Sequence, residues 1–112
     1  MRIAVIGSRT FNNYEVVKDI LDSISPITLI VSGGAMGADT LGARYARENG
    51  IDIRVYKPDW TLGRGAGFIR NTSIINDADM VVAFWDGKSR GTLDSITKAE
   101  KQGKKVLVIT KE

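Results

Sequence analysis

The sequence predicts an α/β domain: an open parallel sheet of about five strands, in the order 3-2-1-4-5, with helices on both faces in three layers. Three observations predict it. Short runs rich in Val and Ile alternate with longer stretches of helical period, the βαβ pattern whose right-handed crossovers build a parallel sheet. Several of those runs are continuously apolar, as strands covered on both faces are. At 112 residues the chain has room for one ordinary core and not for two, so residues 1–112 are expected to form a single domain.

In chain order, Ile3 to Ile6 is the first strand. Val17, Ile20, Leu21 and Ile24 mark one face of the first helix, which Asn12 opens with Glu15 three residues on, the spacing of a capping box. Thr28 to Val31 is the second strand. Ala38, Leu41, Gly42, Tyr45 and Ala46 mark the second helix, which Gly50 can end in a left-handed cap. Ile53 to Tyr56 is the third strand, and a glycine-dense segment from Lys57 to Gly67 follows it. A loop of that length in so small a domain is more often a ligand-binding flap than idle chain. The third helix runs from about Phe68 to Asp77 with Ile74 and Ile75 inward, and Met80 to Trp85 is the fourth strand. Leu93, Ile96 and Ala99 mark a fourth helix that stops at Gly103, and Val106 to Ile109 closes the sheet.

Composition narrows the chemistry. The chain has no Cys and no His, which removes disulfides, thiolate or imidazole metal sites, cysteine nucleophiles and histidine-based triads. No metal and no organic cofactor is expected. Carboxylates, hydroxyls, Lys, Arg and backbone amides remain, a set suited to gripping anionic, hydroxyl-rich ligands. The net charge of +3 leans mildly towards anionic partners. No apolar run approaches the roughly 20 residues that span a bilayer, and MRIAVIGSR carries no leader pattern, so the expected location is the cytoplasm and no membrane partner is expected.

In the expected strand order the sheet reverses between strands 1 and 4, and ligands of such folds sit beyond the carboxyl ends of those strands. Three glycine-bearing loops converge there: Gly7-Ser8-Arg9-Thr10, Ser32 to Asp39 (SGGAMGAD), and Asp86 to Thr92 (DGKSRGT). Each leads into a helix whose first amides lack intrahelical partners, so a phosphate can be held there with little further help. Gly33, Gly34 and Gly37 remove the Cβ atoms that would keep phosphate from the backbone, and Asp39 can either cap the helix or accept from a ribose hydroxyl. No G-x-G-x-x-G follows the first strand, and Gly87-Lys88-Ser89 lacks the Walker spacing. Neither a standard dinucleotide enzyme nor a P-loop NTPase is indicated.

Over essentially the whole chain, GSRTFNNYE, VSGGAMGADTLGARYARENGI, KPDW, GAGFIRNTSIINDADMVVAFWDGKSRGT and GKKVLVI resemble the YspA-type branch of the SLOG superfamily. The resemblance implies a Rossmann-like domain whose glycine loops bind nucleotides or nucleic acid, with ADP-ribose relatives as a ligand class. The superfamily includes cytokinin-activating phosphoribohydrolases, which carry P-G-G-x-G-T-x-x-E at a helix start. This chain keeps Gly91-Thr92, but Ser95 stands at the glutamate position and Asp94 is one residue early, a rotation of about 100°. The superfamily also includes DNA-processing protein A, a single-stranded DNA binder resembled at Ser32 to Asp39 and at Ile69-Arg70-Asn71, with Met36 here in place of its arginine. Dimeric phosphoribohydrolases imply a homodimer as one arrangement.

The expected function is therefore binding of a nucleotide or ADP-ribose-like ligand, as a sensor or processing domain. Arg9, Arg70 and Arg90 are the guanidinium candidates for phosphate. Ser8 and Thr92 can donate to phosphate or cap, Asn71 can contact ligand or cap, and Asp86 can take a ribose hydroxyl or close an Asx turn. Trp60 is the leading stacking candidate, with Phe11 and Phe68 available to join it, whereas Trp85 reads as packing with its N–H at the rim. Two alternatives stay open: N-glycosidic hydrolysis of nucleoside monophosphates, with Asp94 or Asp86 as acid/base, and a single-stranded DNA module.

Overall fold

A computed structural model describes residues 1–24 and 26–110. Five strands, β1 (Arg2–Gly7), β2 (Leu29–Ser32), β3 (Asp52–Val55), β4 (Met80–Phe84) and β5 (Lys105–Ile109), form one parallel sheet in the order β3-β2-β1-β4-β5. Four helices connect them: α1 (Tyr14–Asp22), α2 (Ala38–Glu48), α3 (Ala66–Asp77) and α4 (Arg90–Lys101). This is the Rossmann-like α/β arrangement expected from the alternating runs.

Period-two alternation along β1 divides the core. Ile3 and Val5 face α1 and α2, where Val17, Leu21, Tyr45 and Ala46 are buried, whereas Ala4 and Ile6 face α3 and α4 with Ile74, Ile75, Ile96 and Ala99. All five residues of β4 are buried, the signature of a central strand covered on both sides. At one edge of the sheet β3 is exposed throughout. Gly42 lets α2 settle on the sheet: a Cβ there would lie 2.8 Å from Val5 Cγ1.

Several boundaries differ from the sequence reading. Asn13 rather than Asn12 caps α1, its Oδ1 accepting from Val16 N at 3.3 Å. Helix α3 begins two residues early, at Ala66, which is buried, with Gly65 at its cap position. Leu93 does not join the inward stripe of α4; it is 47% exposed, and Thr92, Ser95, Ile96 and Ala99 face inward instead. Phe11 is core, with its ring centroid 4.9 Å from that of Phe84, and has no face free for a base. Lys98 and Lys104 do more than sit at a helix end: both donate to backbone carbonyls of α3, at Phe68 and Ile75.

Candidate functional site

Ser8, directly after β1, is the strut on which the carboxyl edge is built. Its N–H donates to Phe84 O at 2.9 Å, its carbonyl accepts from Phe11 N and Ala38 N, and its hydroxyl accepts from Asp86 N at 3.0 Å. These bonds draw the three glycine loops together, and they bury Ser8, 2% exposed, away from the cavity, so the hydroxyl that the sequence offered to phosphate does not face one. Glycine is required where the loops touch. At Gly37, with φ +77°, a Cβ would lie 2.3 Å from Ser8 O and 2.5 Å from Arg9 O; at Gly7 it would lie 2.3 Å from Phe84 O and 2.7 Å from Ala38 Cβ.

The convergence leaves a cavity of about 730 Å³ at the carboxyl ends of β1 and β2, between the β2–α2 loop, the 57–67 segment and the starts of α3 and α4. Of the candidates named from sequence, Gly7, Arg9, Gly33, Gly34, Asp39, Trp60, Arg70, Asn71, Gly91 and Thr92 line it. Ser8, Ser32, Gly37, Asp86, Arg90 and Asp94 do not. Lys57 and Arg64 line it as well. They were not singled out from sequence, although both lie in the glycine-dense segment read as a flap, and a cation on such a flap was the available signal. With Arg9 and Arg70 they set four cations around one cavity that holds a single carboxylate, Asp39.

That carboxylate is turned inward. Asp39 Oδ2 accepts from Gly33 N and from Ala35 N, each at 3.1 Å, so two amides expected to face a phosphate are held by the chain itself. Gly34 N is likewise taken, by Ser32 Oγ at 3.2 Å. Asp39 does not cap α2: Gly37 holds the cap position, and Asp39 sits one residue inside the helix. Only 6% of its surface is exposed, and burial pushes its pKa up to about 6 despite the two amides and the Arg70 charge, which oppose the rise.

Arg70 reaches across from α3. Its Nη1 donates to Gly33 O at 2.8 Å and to Tyr56 O at 3.3 Å, and its Nε donates to Asn71 Oδ1 at 3.1 Å. The guanidinium thus fastens the β2–α2 loop to β3 and α3 while lining the cavity. Asn71 neither caps α3 nor has its amide free, since Nδ2 donates to Gly91 O and to Asp94 Oδ2, each at 3.2 Å, tying α3 to α4. Asp94 also pairs with Lys98 at 2.8 Å. Asp86 closes the β4–α4 turn, Oδ1 accepting from Lys88 N and Ser89 N at 2.8 Å each. The Ser89 and Lys88 amides hold its carboxyl below the usual range. Both carboxylates proposed as acid/base from sequence are therefore spent on local structure away from the cavity. Ser95 does line it.

The helix starts of α3 and α4 are open. Among the described residues the amides of Gly67, Phe68 and Gly91, all lining residues, meet no protein acceptor, whereas Thr92 N is taken by Ser89 Oγ at 3.4 Å. Trp60 and Phe68 stand at the rim, 65% and 45% exposed. Trp85 packs with its Nε1 donating to Ser89 O at 3.0 Å. Among the described residues no group of three His, Cys, Asp or Glu could hold a metal ion, and no helix is long and apolar enough to cross a membrane.

Fold and cavity together define a Rossmann-like domain with its glycine loops gathered at the carboxyl edge of the sheet. The chain belongs to the YspA, cpYpsA-related SLOG family, whose model matches residues 1–63. That span contains the loops after β1 and β2 and ends within the flap, short of α3 and α4. No curated protein matches the chain.

Proposed function

We propose that the protein binds a phosphorylated nucleoside, of the nucleotide or ADP-ribose-like class, in the cavity at the carboxyl edge, acting as a sensor or processing domain. One observation carries this reading: Arg9, Lys57, Arg64 and Arg70 surround a single cavity that also offers open helix-start amides and two exposed aromatic rings. Cations and amides suit phosphate, Trp60 and Phe68 suit a base, and about 730 Å³ lies within the range of small-molecule sites. Family membership supports the same nucleotide-related class. Binding is better supported than N-glycosidic hydrolysis, because Asp86 and Asp94 are both engaged elsewhere.

A thermal-shift series with AMP, ADP, ADP-ribose and short single-stranded oligonucleotides tests the reading. A mononucleotide or ADP-ribose at about 100 times its dissociation constant adds about 2.7 kcal/mol, which for a domain of this size raises Tm by roughly 10 °C. No shift with any nucleotide at millimolar concentration contradicts the reading. Stabilisation only by oligonucleotides, growing with length and lost steeply with salt, places the protein with nucleic-acid binders instead.

A further inference from the structure

We infer that Asp39 is an internal anion that keeps dianionic phosphate off the β2–α2 loop and receives ligand hydroxyls there, so that the cavity takes its ligand in one orientation, phosphate towards α3 and α4. The inference rests on the nucleotide reading above and assigns the two ends of its site. At one end, Gly33 N and Ala35 N both point at Asp39 Oδ2. A phosphate competing for those amides meets a carboxylate already in place, and the like charges repel at short range in a poorly solvated setting. At the starts of α3 and α4, the Gly67, Phe68 and Gly91 amides are open, and Arg64 lies in the flap just before α3. A carboxylate has acceptor capacity beyond two amides and a neighbouring serine hydroxyl. A neutral donor such as a sugar hydroxyl is the partner it favours.

The charged group facing Asp39 is Arg70 from α3, with Arg9 of the β1–α1 loop lining the same cavity. Arg70 Nη1 is committed to Gly33 O and Tyr56 O, so its charge tempers the carboxylate while its hydrogen bonds go to the backbone. The chain has no histidine, so a response of anion binding centred near pH 6 reports on Asp39, whose folded pKa lies at about 6.

Sulfate is the probe, because it stays dianionic throughout that range. Its binding to the whole, isotopically labelled chain is followed by amide NMR. In the wild type at pH 7.5 sulfate shifts Gly67, Phe68 and Gly91 and leaves Gly33 and Ala35 in place. Its affinity rises several-fold as pH falls through 6. Asp39→Asn, which retains an acceptor for both amides, tightens sulfate at pH 7.5 by about tenfold, as expected for removal of one nearby charge, and flattens the pH response. The same variant brings the wild type's preference for AMP over 2′,3′-dideoxy-AMP close to unity. Sulfate shifting Gly33 and Ala35 in the wild type at pH 7.5, unchanged affinity in Asp39→Asn, or an unchanged AMP preference overturns the inference while leaving the nucleotide reading intact. No response to sulfate at any amide overturns both.

Discussion

The contact between the first two glycine loops makes Gly37→Ala the sharpest structural perturbation. Gly37 adopts φ +77° and ψ −126°, a region open essentially to glycine alone, and a Cβ there would lie 2.3 Å from Ser8 O and 2.5 Å from Arg9 O. Backbone strain of this kind costs about 1–3 kcal/mol. Both clashing atoms are main-chain, so relief requires moving the loop that Ser8 anchors to β4 through Phe84 O and Asp86 N. The combined cost is on the order of 3 kcal/mol or more, equivalent to a fall in Tm of roughly 12 °C or more for a domain of this size. Gly50→Ala is the control: its φ is +64°, but a Cβ there meets nothing within 4 Å, so only the left-handed penalty of about 1–2 kcal/mol applies. Urea unfolding of the two variants beside the wild type reads the difference. If Gly37→Ala is no more destabilising than Gly50→Ala, the packing of the two loops against each other is not as described.

Asp39→Asn also tests the buried carboxylate through stability. Its folded pKa, about 6, lies above the ordinary value, so the native state holds the proton more tightly than the unfolded chain, and the wild type loses stability relative to the variant as pH rises from about 4 to about 6. The relative loss is on the order of 3 kcal/mol, measured as the difference between two urea-derived stability profiles; parallel profiles contradict the burial. Arg70→Lys keeps a charge but cannot bond Gly33 O, Tyr56 O and Asn71 Oδ1 together, so it should lower stability by about 1–3 kcal/mol and raise amide exchange at Gly33 to Ala35. Unchanged exchange there would show that the guanidinium does not fasten the loop. Trp60→Ala, at a 65% exposed rim position, should change stability by less than about 0.5 kcal/mol yet weaken AMP binding by about 1–3 kcal/mol, read by calorimetry. Equal affinity would remove Trp60 from the base site.

The strands and helices were legible because continuous apolar runs and helical stripes carry that information locally, and the strand order followed from taking the common doubly wound arrangement. Legibility failed where a residue's role depends on a partner distant in sequence. Nothing near Asp39 announces that its carboxylate folds back on Gly33 and Ala35, because helix-start aspartates ordinarily cap or face outward. Asp94 and Asp86 looked available for proton transfer because Asn71, Lys98 and the 86–89 turn come to them only in three dimensions. Ser8 looked like a phosphate donor for the same reason. Leu93 misled through its type alone, its apolar side chain sitting on the exposed face of α4. Lys57 and Arg64 were the reverse case, charged residues on a segment already read as a flap, whose direction only the fold supplies.

Whether one cavity at the carboxyl edge receives a phosphorylated nucleoside is decided by a crystal structure of the protein grown with ADP-ribose. Diphosphate oxygens are expected within hydrogen-bonding distance of the Gly91 amide and a cation of the flap, with the adenine against Trp60 or Phe68 and a ribose hydroxyl at Asp39. Clear density for the ligand on any other surface, or an empty cavity at saturating concentration, would contradict this placement.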